Sequence, residues 1–98
     1  MKYEVISANY LQDYKIELRF RDGTTGIVDF QVFLGKGRLT QPLLNKDFFR
    51  CFKVNADLGT LVWENGYDIA PDTLYYLVTG KHEYLAGLPQ FIKDAFRV

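Results

Sequence analysis

Residues Tyr14 to Phe20, YKIELRF, alternate apolar and charged side chains almost without interruption, and nothing else in the chain narrows its fold as much. Ile16, Leu18 and Phe20 fall on one face of an extended strand; Lys15, Glu17 and Arg19 fall on the other. Arg21-Asp22-Gly23 then turns the chain, and Thr24 to Phe30 returns. Loop length decides the register. A two-residue loop at Asp22-Gly23 sets Ile16 opposite Asp29 and mixes apolar with charged groups. A three-residue loop with Gly23 left-handed pairs Phe20 with Thr24, Leu18 with Gly26, Ile16 with Val28 and Tyr14 with Phe30. That arrangement keeps the apolar side chains together and uses glycine where φ must be positive, so it is the expected one.

Tyr3 to Ala8 reads as an opening strand. Gln31 to Leu39, apolar and then punctuated by Gly35 and Gly37, reads as an irregular connection with a short helical turn. Asn45 is placed to cap a short helix running through Phe52, with Asp47 in its first turn and Phe48, Phe49 and Phe52 facing inward. A second hairpin follows, in which Phe52 and Val54 face Trp63 and Leu61 across a turn at Ala56 to Gly59. The stretch WENGYDIAPDTLY, Trp63 to Tyr75, then reads as a corner. Trp63 ends a strand, Asn65-Gly66 turns, and Pro71 opens a helix that Gly80 closes. Asp68 is expected to cap that helix and Asp72 to meet its dipole in the first turn, with Leu74, Leu77 and Val78 on one face. Leu88 to Phe96 reads as a terminal amphipathic helix. The fold class is therefore α+β: a single domain over residues 1–98, a small curled antiparallel sheet built from two hairpins with two or three short helices.

Twelve basic and twelve acidic residues cancel, which leaves no net field to draw the molecule to nucleic acid or anionic lipid. The charges are still sorted. Lys36, Arg38, Lys46, Arg50 and Lys53 face one anion, Asp47, over residues 36–53, whereas Asp57, Glu64, Asp68 and Asp72 lie in a stretch without cations. The five cations are the candidate contacts for a partner or a nucleic acid. Cys51 is the single cysteine, so an intrachain disulfide is excluded, and its expected place is inside, as a small hydrophobe. No stretch is long and apolar enough to cross a bilayer, the N-terminus lacks a signal-peptide core, and a cytoplasmic, reducing location is the default expectation.

Three places offer groups that could carry chemistry. Asp68 and Asp72, with Asp57, could serve a small metal-dependent enzyme, but the proline-led helix start accounts for the pair structurally. His82 is the only histidine and has no partners for a triad or a metal. Gly35-Lys36-Gly37-Arg38 could cradle a phosphate through backbone amides, although it lacks P-loop spacing. No nucleophile elbow, zinc-protease helix or dinucleotide fingerprint occurs, so neither catalytic residues nor a cofactor are expected.

The order Phe20-x-Asp22-Gly23, Gly26-x-Val28-Asp29-Phe30, Pro42-Leu43, Phe48-Phe49 and Trp63-x-Asn65-Gly66-x-Asp68-Ile69-Ala70-Pro71-Asp72-x-Leu74-Tyr75 resembles the small bacterial proteins grouped as domain of unknown function 2442. The resemblance implies a compact α+β module with a curled antiparallel sheet. Some relatives append a helix-turn-helix DNA-binding domain, for which the eighteen residues after Gly80 are too few. Relatives of the single-module kind are often encoded beside another small protein, in the manner of a toxin–antitoxin pair, which implies a partner encoded nearby. The family brings no established catalytic residues.

The resulting expectation is a non-catalytic protein-interaction module, the antitoxin-like or regulatory member of a two-gene pair. Aromatic residues beyond what a small core can hide, among Phe33, Tyr67, Tyr75, Tyr76 and Tyr84, would supply its contact surface. The alternatives are a nucleic-acid-binding accessory working through the five cations and the small metal-dependent enzyme. A free sheet edge could also pair two copies into a homodimer.

Overall fold

The alternation of residues 14–30 closes in the expected register. The computed structural model describes residues 3–80. In it β2 (Lys15–Phe20) pairs antiparallel with β3 (Thr25–Asp29), with Ile16 opposite Val28 and Leu18 opposite Gly26. The Phe20 amide donates to the Thr24 carbonyl at 2.8 Å, and the Phe30 amide to the Tyr14 carbonyl at 2.8 Å. Gly23 takes φ 90°, the left-handed value the three-residue loop needs. Ile16, Leu18, Phe20 and Val28 are all buried, as a hairpin with one face on a core requires.

β1 (Val5–Gln12) pairs with the other edge of β2, giving the order β1-β2-β3. It runs four residues past the expected Ala8, because backbone pairing with β2 continues where the apolar pattern has stopped. Two register shifts, between Val5 and Ser7 and between Tyr10 and Gln12, leave Ile6 and Leu11 without opposite residues. Both bulged residues are exposed, at 44% and 40%. Asp13, at φ 51°, begins the tight turn into β2.

The second hairpin forms a separate two-stranded sheet of β4 (Lys53–Asn55) and β5 (Thr60–Val62), with Val54 opposite Leu61. Asn55 shapes its turn, its Oδ1 accepting from the amides of Asp57 and Leu58. The Gly59 carbonyl accepts from the Val5 amide at 2.9 Å and ties the two sheets together. Short 3-10 turns at Phe30–Phe33 and Gln41–Leu44 lead into α1 (Lys46–Phe49). Asn45 caps α1 as expected, its Oδ1 accepting from the Asp47 and Phe48 amides. The helix lasts only one turn and stops short of Phe52, because the chain must straighten there to bring Phe52 within 6.1 Å of the Trp63 ring. Cys51 consequently lies in an outward turn and is exposed, contrary to the sequence expectation.

α2 (Pro71–Thr79) begins at Pro71 and ends at Gly80, which is left-handed at φ 67°. Its N-cap is Ala70, and Asp68 does not cap it. The helix start is held instead by Asp72, whose Oδ1 accepts from the Thr73 amide, and by the buried Thr60 hydroxyl, which donates to the Ile69 carbonyl at 2.6 Å. α2 lies against β3 at Gly26, where even a single added carbon would come within 2.4 Å of a Val78 methyl. Its inner side is Leu74, Tyr75 and Tyr76, with Leu77 and Val78 only half-buried. Tyr75 is drawn in by an edge-on contact with Phe20 at 5.1 Å and by a 2.6 Å hydrogen bond to Asp22. Phe33, Tyr75 and Tyr76 are therefore core, not contact surface, and Tyr67 is half-buried. Tyr84, His82 and the Leu88 to Phe96 segment lie outside the described residues.

Candidate functional site

The corner is built on Trp63. Its ring is buried against Phe30, Phe49 and Phe52, and its indole N–H donates to the Phe49 carbonyl at 2.8 Å. Burying a side chain of this size supplies roughly 1.5–3 kcal/mol or more, and the hydrogen bond fixes the ring's orientation. The Trp63 amide donates to the Tyr67 carbonyl and the Gly66 amide to the Trp63 carbonyl, both at 2.9 Å, which closes a three-residue loop with Gly66 at φ 90°. The chain then makes one bridge, Val62 to Asp68, before reaching α2.

Asn65 carries this corner to a distant loop. Its Nδ2 donates to the Leu39 carbonyl at 2.8 Å, while its Oδ1 accepts from the Tyr67 amide at 3.2 Å. The bond brings the GKGR segment beside Tyr67, and a groove of about 410 Å³ opens between them. Phe33, Lys36, Gly37, Arg38, Leu39, Thr40 and Tyr67 line it. Two of the five candidate cations, Lys36 and Arg38, thus meet the corner motif here. Burial, and after it the Asp68 charge, push the Tyr67 hydroxyl up to about 12, so it remains a protonated donor at neutral pH.

The loop is held from within by Thr40. Its Oγ1 accepts from the amides of Lys36 and Gly37, each at 3.0 Å, and donates to the Gly37 carbonyl. Those amides are therefore occupied and do not form the phosphate cradle considered from sequence. On the other side of the corner, Cys51, Lys53, Val54, Asn55, Val62, Trp63 and Glu64 line a second groove of about 420 Å³, which takes the third cation.

The remaining two cations are held elsewhere. Lys46 lies 3.2 Å from Asp13, whose hydrogen bond and charge raise its pKa, and sits over the Tyr14 ring. Arg50 lies 2.9 Å from Asp47 and over the Tyr10 ring. The five cations are thus split among three places, two of them around the corner. Asp68 is exposed beside the bridge and Asp72 is exposed on the first turn of α2. Among the described residues no group of three or more His, Cys, Asp or Glu side chains is placed to hold a metal. None of the described helices is long and apolar enough to cross a membrane.

Sequence reasoning missed Thr40, Thr60 and Leu39. Each works through one hydroxyl or one carbonyl, and neither hydropathy nor spacing marks such a group. The chemistry available at the corner is recognition: apolar walls, a protonated phenol and two guanidinium or ammonium groups on one rim. No curated protein and no solved structure gives a match to the chain. Residues 5–80 match the family described as protein of unknown function (DUF2442). That match covers the whole run from β1 to the end of α2, the corner included, and the chain belongs to the DUF2442 family.

Proposed function

We propose that this protein is a non-catalytic protein-interaction module, the antitoxin-like or regulatory member of a bacterial two-gene pair, working in the cytoplasm. The observation that carries the reading is the loop between β3 and α1. Leu39 and Leu44 stand 47% and 39% exposed on it, in the same connection as Lys36 and Arg38, and Leu39 lines the Tyr67 groove. Exposed apolar side chains in one loop with two cations favour a docking site over a solvated loop. The loop that bears this surface is held by the Asn65 bond to Leu39 and the Thr40 bonds to Lys36 and Gly37, which favours a preformed recognition site.

A nucleic-acid accessory has less support, since Lys46 and Arg50 are neutralised by Asp13 and Asp47 and the cations make no continuous track. The metal-dependent enzyme has less support again, with Asp72 engaged at a helix start and Asp68 beside a backbone bridge. A homodimer through the β1 edge is disfavoured by the two bulges, which bend an edge away from flat pairing.

Co-expression with the product of the adjacent reading frame tests the proposal. The expected result is a stable complex on co-purification and a change in that product's effect on growth. Failure of both ends the reading.

A further inference from the structure

Two grooves flank the Trp63–Tyr67 loop, and they differ in charge. The one lined by Cys51 and Trp63 carries both Lys53 and Glu64. Among the described residues, the one between Tyr67 and residues 33–40 is lined by Lys36 and Arg38 and by no acidic side chain. Its apolar surface comes from Leu39 and the Tyr67 ring, above the buried Phe33.

From this we infer that the Tyr67 groove binds an acidic segment of a partner protein, seating one aromatic or leucine side chain between Leu39 and Tyr67 with a flanking carboxylate on Arg38. The inference rests on the interaction-module reading and names the partner's chemistry. The volume, about 410 Å³, suits one or two side chains and is at the small end of ligand sites. The Asn65 bond to Leu39 and the Thr40 bonds to Lys36 and Gly37 hold both walls before anything binds, so little ordering is needed. Arg38 makes no ion pair among the described residues, which leaves its planar guanidinium able to take a carboxylate through two hydrogen bonds. The Tyr67 hydroxyl, protonated across the physiological range, adds a third donor. A nucleic acid is the weaker occupant. Its affinity comes from a row of phosphates, and this groove offers two cations on a chain of zero net charge.

The experiment is a titration of the ¹⁵N-labelled full chain with a capped peptide, Glu-Asp-Phe-Glu-Asp, followed by NMR. The amide-matched peptide Gln-Asn-Phe-Gln-Asn and a thymidine oligonucleotide serve as the comparison probes. The acidic peptide is expected to shift the amides of residues 36–40 and 67 saturably, with the amide-matched peptide about tenfold weaker. Arg38→Glu is expected to weaken the acidic peptide by about tenfold or more while the thermal midpoint stays unchanged. Equal responses to both peptides, or no response at these residues at millimolar concentration, overturn the inference. A stronger response of the same residues to the oligonucleotide overturns it in favour of phosphate recognition. Binding of the acidic peptide at the Lys53 groove alone also overturns it but leaves the interaction-module reading standing, because that reading falls only when co-expression gives neither a complex nor a change in growth.

Discussion

Phe20-Arg21-Asp22-Gly23-Thr24 and Trp63-Glu64-Asn65-Gly66-Tyr67 are the same turn used twice. In each a buried aromatic residue donates its amide to the carbonyl four positions on, at 2.8 Å and 2.9 Å. A glycine at φ 90° donates back to the aromatic carbonyl at 2.9 Å in both. An Asx side chain accepts from the amide two residues later. The difference lies in what the Asx group does with its second atom. Asp22 offers Oδ2 to the Tyr75 hydroxyl, a donor, at 2.6 Å; Asn65 offers Nδ2 to the Leu39 carbonyl, an acceptor, at 2.8 Å. The turn accepts either residue type, and the tertiary partner selects between a carboxylate and an amide. One turn pins a helix to the main sheet. The other pins a loop and makes a groove.

The aromatic anchors give the largest expected effects. Phe20→Ala and Trp63→Ala should each cost about 3–5 kcal/mol in urea unfolding, because both leave a large cavity in a closed core. Trp63→Phe separates the two turns. It keeps most of the ring and orphans the buried Phe49 carbonyl, for an expected loss of about 1–3 kcal/mol that no Phe20 substitution reproduces.

Exchanging the Asx residues comes next. Asn65→Asp sets a carboxylate against the Leu39 carbonyl and should cost about 2 kcal/mol at neutral pH. The introduced carboxyl is harder to ionise in the folded chain than in the unfolded one. Its neutral form can donate to Leu39, so the loss should shrink as the pH falls and grow as the pH rises through the folded-state pKa. Asp22→Asn should cost less, about 1 kcal/mol, because the Tyr75 hydroxyl can still bond the amide oxygen. Unfolding of the two variants between acid and neutral pH checks both statements, and equal, pH-independent losses would remove the proposed distinction.

Gly23→Ala and Gly66→Ala should cost the same, about 1 kcal/mol each. An added carbon meets nothing within 4 Å at either site, so only the positive φ opposes it. A marked inequality in their thermal midpoints would mean that one turn relaxes and the other does not.

The smallest effect concerns the residue after each glycine, Thr24 in one turn and Tyr67 in the other. Tyr67 has its pKa pushed from 10.0 up to about 12 by burial and then by Asp68. Folding therefore resists its deprotonation, and the associated stability is complete below pH 10 and lost as the pH climbs towards 12. Tyr67→Phe should flatten the alkaline end of the stability profile and remove one late-titrating phenol from the ultraviolet spectrum. The group is partly exposed, so the change is expected to be modest.

Much of this architecture is written in short-range pattern. Alternation from Tyr14 to Phe20 with Gly23 set the hairpin register, Asn45 the start of α1, and Pro71 with Gly80 both ends of α2. Each depends on backbone sterics or hydrogen bonds within a few residues, so the local letters are sufficient. The candidate groove was beyond that reach. Lys36 and Arg38 could be named from sequence, but their meeting with Tyr67 depends on the Asn65 bond to a carbonyl 26 positions away. The inward turn of Tyr75 depends on a partner 53 positions away. The separation of Lys46 and Arg50 from the other cations depends on how α1 sits beside β1 and β2, where Asp13, Tyr10 and Tyr14 receive them. Asp68 lost its expected cap because the bridge to Val62 places it before the helix start, and Cys51 turned outward because α1 ended after one turn. Amino-acid order by itself determined the register of the first hairpin, the start of α1 and both ends of α2, since those are local energies. Only the tertiary structure decided which polar atoms meet, because a donor and an acceptor far apart in sequence leave no periodic trace until packing brings them together.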